Sequence, residues 1–140
     1  MAQYHIEYQG HLRTKITHQG NGQSIITDAP VDNHGKGEFF SPTDLMASSL
    51  GSCILTIMGI HANMLGVDLK GSNATVEKIM QDTPRKIQKI RINIHLPLID
   101  KKLQERLEKV ALECPVHHSF HAETGQEIVF HWGGLKNSEI

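Results

Sequence analysis

Apolar and polar residues alternate over Tyr4, Ile6 and Tyr8, with His5 and Glu7 between them. The alternation resumes beyond Gly10, where Leu12 and Ile16 flank Arg13 and Lys15. A period of two on both sides of a glycine predicts a β-hairpin. Gly20-Asn21-Gly22 supplies the next turn before a strand at Ser24-Ile25-Ile26-Thr27. Asp32 to Gly37 reads as a loop whose glycines fit neither phosphate-binding arrangement. The pattern then changes period. Ser41 is placed to accept backbone N–H bonds as a helix cap, Pro42 suits the first helical position, and Asp44 complements the positive end. Gly66 is a natural stop. A helix over about residues 42–65, about 36 Å long, would cross the whole molecule. On it Met46, Leu50, Cys53, Ile57, Ile60 and Met64 fall within about 40° of one line, the expected packing stripe. Gly51, Leu55, Met58 and Gly59 occupy the opposite side, so this helix is expected to be covered from several directions, with a partner subunit as one source of cover.

Ala74 and Val76 then share a strand face, and Ile90, Ile92, Ile94 and Leu96 alternate strictly with Arg91, Asn93 and His95. Asp82-Thr83-Pro84-Arg85 separates the two strands as a turn. A second helix begins near Asp100, carries Leu103, Leu107, Val110 and Cys114 on one side, and is ended by Pro115. Ile128, Phe130 and Trp132 make a last strand. The order βββ-α-ββ-α-β predicts an α+β fold with antiparallel strands and two helices covering a sheet. At 140 residues, without repeats or linker-like stretches, residues 1–140 are expected to form a single domain.

Fourteen Lys+Arg against fifteen Asp+Glu leave a formal charge of −1. No basic field exists to hold nucleic acid or an anionic membrane by counterion release. The first residues lack both a charged leader and an apolar stretch, and nowhere do eighteen apolar residues run together, so a cytoplasmic location is expected.

Candidate chemistry centres on Cys53 and Cys114, too far apart for a CxxC redox or zinc-ribbon motif. Three readings fit them: inert core thiols, a transient catalytic pair, or metal ligands. Free cysteine packs as a small hydrophobe, which favours the first. Both lie on apolar stripes, so their helices are expected to bring them together in one core. If they react, their settings differ. Cys53 is about eleven residues into its helix, beyond the first-turn dipole, whereas Cys114 stands at a helix C-terminus beside Glu113, where dipole and carboxylate oppose a thiolate. That asymmetry makes Cys53 the attacking group and Cys114 the resolving one. The activating cation must come from elsewhere; Arg13, Arg85, Lys36 and the histidines are candidates. Cys114, His117, His118 and His121 also form a local set of soft and imidazole ligands that zinc or copper would accept, with Cys53 or His61 completing the shell. His117 or His118 is alternatively a local cation or hydrogen-bond donor for a thiol. Phe39, Phe40 and Met46 read either as an apolar entry for a substrate or as packing, and Glu38 as a solvated loop charge.

Gly37 to Cys53, with Ser41-Pro42-Thr43-Asp44-Leu45 at its start and Gly51-Ser52-Cys53 at its end, resembles the cysteine-bearing segment of the OsmC/Ohr superfamily, the osmotically inducible and organic hydroperoxide resistance proteins. Cys114-Pro115-Val116 is similar to its second signature. The resemblance implies an OsmC-like fold, an intertwined homodimer with long central helices, and a thiol peroxidase that reduces organic hydroperoxides without a cofactor. Cys53 would become a sulfenic acid and condense with Cys114 to a disulfide, which an external thiol or dithiol reduces. Two features depart from the pattern. Peroxidase members place a glutamate directly after the proline, where this chain has Thr43, and Asp44 points about 180° from Cys53 on a regular helix. They also carry an arginine for the thiolate; the loop before Ser41 offers only His34 and Lys36, leaving Arg13 in the early hairpin. The competing expectations are a non-catalytic OsmC-like dimer that binds small apolar molecules and a metal-binding protein.

Overall fold

Ser41 sets the start of the long helix. Its Oγ accepts the Asp44 N–H at 3.1 Å, while the Asp44 carboxylate accepts the Ser41 N–H at 2.9 Å. This reciprocal cap satisfies two otherwise orphaned donors, with Pro42 at the first helical position. In the computed structural model, which describes residues 1–135, helix α1 is Pro42–Met64, and Gly66 ends it at a φ of +71°. The chain divides into two compact units, Met1–Met46 and the part from Ala47 onward.

The first unit holds β1 (Tyr4–Gly10), β2 (Arg13–His18) and β3 (Ser24–Asp28), an antiparallel sheet in that order. Ile16 is the Cα partner of Ile6 on one side and Ile25 on the other. Leu12 does not join the β2 face. Gly10 pairs with Arg13, so the hairpin closes through His11 and Leu12, both left-handed at φ +54° and +63°. A two-residue connection requires such a conformation to match strand twist. The return to α1 passes a 3₁₀ turn, Val31–Asn33, and Gly35, where an added Cβ would lie 1.7 Å from the Ala29 carbonyl oxygen. The fully buried residues of this unit are Thr27, Asp28 and Ser41; none is apolar, while Tyr4, Ile6, Tyr8 and Ile25 stand exposed.

The second unit contains most of α1, then β4 (Asn73–Gln81), β5 (Lys86–Leu96), α2 (Lys101–Ala111), a short α3 (Pro115–Ser119) and β6 (Gly125–Trp132). Ile90, Ile92, Ile94 and Leu96 of β5 are sealed in one core with Leu50, Ile54 and Met58 of α1 and Leu107 of α2. Met80 pairs with Ile87 and Ile79 with Lys89, so Gln88 is an extra, bulged residue. The bulge puts Ile87 and Ile90 on one face although they are three apart. β6 runs parallel to β5, not antiparallel as the order of elements suggested. A parallel partner needs a long crossover, which residues 97–124 with α2 and α3 provide. On the outer face Arg91 hydrogen-bonds both Glu77 and Glu127, and Lys89 joins Glu127. Hydrogen bonds from Lys89 first and Arg91 second hold the Glu127 carboxyl down to about 2.

The expected stripe on α1 is only in part its packing face: Leu50 is sealed and Cys53 and Ile57 pack against the core, but the centre of the buried face lies elsewhere. Met46, Ile60 and Met64 are exposed, whereas Ala47, Leu50, Gly51, Ile54, Met58 and Ala62 are buried, a face turned by about 100°. Gly51 belongs to that face: a Cβ there would lie 2.8 Å from Val76 Cγ2, so the helix sits against β4 where it has no side chain. With an 18-residue window of mean hydropathy 1.5, α1 is long and apolar enough to cross a membrane. Here Leu50, Ile54 and Met58 instead fill the core above β5. Ile54→Ala is therefore expected to cost about 2–5 kcal/mol in urea unfolding. Met64→Ala, at an exposed position, should stay within about 0.5 kcal/mol; equal losses would contradict this assignment of faces.

Candidate active site

Cys53 sits mid-α1, partly exposed, on the border between the buried and open faces. Cys114 is completely buried. The two thiols act on one another: the Cys53 side chain strengthens the Cys114 thiol's hold on its proton, and both sulfurs pack in the same core. Val116 and Phe120 pack partly buried against the core around them.

The chain reaches Cys114 differently from the expected single helix. α2 ends at Ala111, Leu112 and Glu113 close back on Lys109 and Val110 in a tightened turn, and Cys114 then caps α3 with Pro115 as first helical residue. Pro115 thus starts a helix instead of stopping one. Cys114 Sγ accepts the His117 N–H at 3.4 Å, so the local backbone favours charge on this sulfur, the reverse of the C-terminal dipole expected from sequence. Burial dominates nevertheless. It pushes the Cys114 thiol up, the Cys53 side chain adds to the rise, and the amides of His117 and Val116 only moderate it. Within the pair the reachable sulfur is Cys53, and the sulfur held as a thiol is Cys114.

His117 Nδ1 meets Gln126 Oε1, and His118 lies edge-on to the His117 ring with centroids 5.1 Å apart. His121 is exposed and its Nδ1 accepts the Glu123 N–H at 3.1 Å. Among the described residues no three His, Cys, Asp or Glu side chains are grouped to hold a metal ion. Among the described residues Cys114, His117, His118 and His121 are thus not drawn together into one group.

The first unit carries its own polar cluster. Arg13 pairs with Glu38, approaches Asp28 Oδ2 at 3.7 Å, and covers the Phe39 ring at 5.0 Å. Asp28, almost wholly buried, accepts the Glu38 N–H at 3.0 Å through Oδ2, while Oδ1 has no hydrogen-bond partner among the described residues. Glu38 is an exposed loop charge, as read from the sequence, and it is also the arginine's carboxylate. An open cleft of about 400 Å³ beside it is lined by Gln9, Gly10, His11, Arg13, Lys36 and Glu38. Phe40 and Met46 are exposed near the start of α1, and Asp44 is engaged in the helix cap. Asp28 escaped the sequence reading because nothing in the spacing links it to Arg13; the β2–β3 register pairs the two, and the loop before α1 brings Glu38 to the same guanidinium.

The model of the OsmC-like protein family matches residues 35–128, a span that includes both cysteines. The chain belongs to the OsmC-like family. A crystal structure from Psychrobacter arcticus 273-4, provisionally assigned to osmotic stress induction and detoxification, is 45% identical, with 94% of this chain and 96% of that one covered and a TM-score of 0.89. An organic hydroperoxide resistance protein OsmC of Legionella pneumophila shares the fold at 18% identity, 93% and 96% coverage and a TM-score of 0.70. OhrB of Bacillus subtilis, also an organic hydroperoxide resistance protein, does so at 15% identity, 94% and 98% coverage and 0.68. A comparison with curated protein sequences returns no match.

In this OsmC-like chain the raised Cys114 thiol makes a pH prediction. Its folded state holds the proton more tightly than the unfolded chain, so its contribution is complete below the ordinary thiol range, about pH 8.5, and is lost as pH rises through the folded value. Thermal unfolding from pH 7 to 10 should show a fall in midpoint that is shallower in Cys114→Ala. Parallel pH curves for the two proteins would contradict the assignment.

Proposed function

We propose that the protein is a thiol peroxidase for organic hydroperoxides. The observation that supports this most is the interacting sulfur pair, one member reachable and the other sealed. The Cys53 thiolate attacks the distal oxygen of the hydroperoxide; the O–O bond breaks, and the alkoxide takes a proton and leaves as alcohol. Cys53 is then a sulfenic acid. Cys114 attacks that sulfur, the S–S bond forms as the S–O bond breaks, and the oxygen departs as water with the Cys114 proton. An external thiol or dithiol returns two electrons and two protons to restore both thiols.

Arg13 is the candidate activating cation that the family resemblance suggests, with Lys36 a second positive charge in the Arg13 cleft. Its carboxylate partner is Glu38, so the glutamate missing at Thr43 need not come from α1. Phe39, Phe40 and Met46 offer apolar surface for the organic group. His117 acts on Cys114 through its backbone amide. The working protein is a homodimer in this reading. The first unit buries no apolar side chain of its own, and three strands need an apolar face covered to be stable. Exposed Tyr4, Ile6 and Tyr8, and Ile60 and Met64 on α1, are the surface a second copy would cover. Reduced thiols that cycle through a disulfide suit the cytoplasm.

Consumption of cumene hydroperoxide in the presence of a dithiol tests the proposal. Cys53→Ser should abolish it, and Cys114→Ser should leave a Cys53 sulfenic acid that a dimedone probe captures. Arg13→Ala should slow it about tenfold, the effect of about one pKa unit of thiolate stabilisation. Unchanged turnover in Cys53→Ser would reject the reading and favour an OsmC-like dimer that binds apolar molecules without converting them.

A further inference from the structure

Gln126, the second residue of β6, is half-buried and pairs in register with Ile90. Its carboxamide reaches α3 with both ends. Nε2 donates to the His117 carbonyl at 3.1 Å, and Oε1 faces His117 Nδ1. The first bond orients the amide, since only its NH2 can donate to a carbonyl. The oxygen facing the ring can only accept, so His117 carries its proton on Nδ1, and in the neutral ring Nε2 keeps its lone pair.

One side chain therefore grips His117 by carbonyl and ring, while the N–H of the same residue lies on Cys114 Sγ at 3.4 Å. α3 cannot supply this rigidity itself. It has five residues, far below the length at which a helix sustains itself, and is carried by few backbone bonds, such as that from the His118 N–H to the Cys114 carbonyl at 3.3 Å. β6, paired along its length with β5, is the firm body, and Gln126 is the side chain that ties His117 to it.

We propose that Gln126 is a positioning residue for Cys114: by clamping His117 it keeps the His117 amide on the Cys114 sulfur and holds that sulfur toward Cys53 for the disulfide-forming step. The part that concerns this step rests on the peroxidase reading. The hold on the sulfur is a property of the resting protein and is measurable without turnover. In the step, Cys114 gives up its proton as the S–S bond forms and the Cys53 S–O bond breaks, with the oxygen leaving as water. A hydrogen bond to the sulfur favours its deprotonated form and so helps the attack. The titratable group facing Cys114 from α1 is Cys53; on its own segment the neighbours are Glu113, His117 and His118.

The test begins with the full chain carrying Cys53→Ser, so that Cys114 is the remaining thiol, and follows thiolate absorbance against pH. Gln126→Leu should move the midpoint upward by about one pH unit, the scale of one hydrogen bond to the charged form. With Cys53 present, Gln126→Leu should slow disulfide formation about tenfold near neutral pH and leave sulfenic acid formation at the parent rate. Adding His117→Ala to Gln126→Leu should change little more, because both act through one clamp. An unmoved midpoint, or fully additive effects, would overturn the proposal. A second readout needs no folded variant: nitrogen-15 spectra of the parent protein should show a proton on His117 Nδ1, and a neutral ring protonated on Nε2 alone would equally overturn it. A shifted midpoint in a protein that consumes no hydroperoxide would uphold the clamp and reject the peroxidase; turnover with an unmoved midpoint would do the reverse.

Discussion

The chemistry depends on apolar packing that brings two sulfurs from distant parts of the chain together. For Cys53 and Cys114 to meet in one core, α1 must lie across it, and the segment after α2 must break, turn and restart at Cys114. Each requirement has a local cause. Gly51 seats α1 against β4 without a side chain, and the Leu112–Glu113 turn followed by Pro115 converts what would be a continuing helix into a cap. An interaction between two thiols is weak in itself, so the surrounding Ile, Leu and Val packing fixes the geometry and the pair inherits it.

The same packing divides the chemistry. Cys114, with no exposed surface, loses hydration and holds its proton; Cys53, at the border of the buried face of α1, keeps a path to solvent. A dithiol whose members were equally exposed would have no such order of reaction. The first unit adds a different element, an arginine held between a buried and an exposed carboxylate. Its sheet leaves Tyr4, Ile6, Tyr8 and Ile25 open to solvent.

Much of this was legible in the chain. The start of α1 was readable because Ser41, Pro42 and Asp44 carry their own local signals, and β5 because strict alternation survives over Ile90 to Leu96. The buried side of α1 was not, since a helix apolar nearly all round offers no contrast for a periodicity to detect. Proline after Cys114 suits a helix end and a helix start equally, so the new cap and its favourable amide were invisible until the turn at Leu112 was seen. The parallel direction of β6 follows from the crossover path, which local pattern does not encode. Gln126 had no signal at all: a lone glutamine gains meaning only from the register that sets it beside α3.

The account stands on the sulfur pair being the reacting unit. Peptide mapping by mass spectrometry after one equivalent of organic hydroperoxide addresses it most directly. The account predicts a single linked pair of peptides, one with Cys53 and one with Cys114 of the same chain, lighter by the two lost hydrogens. Both thiols unchanged, or Cys53 driven to sulfinic acid with Cys114 untouched, would contradict it.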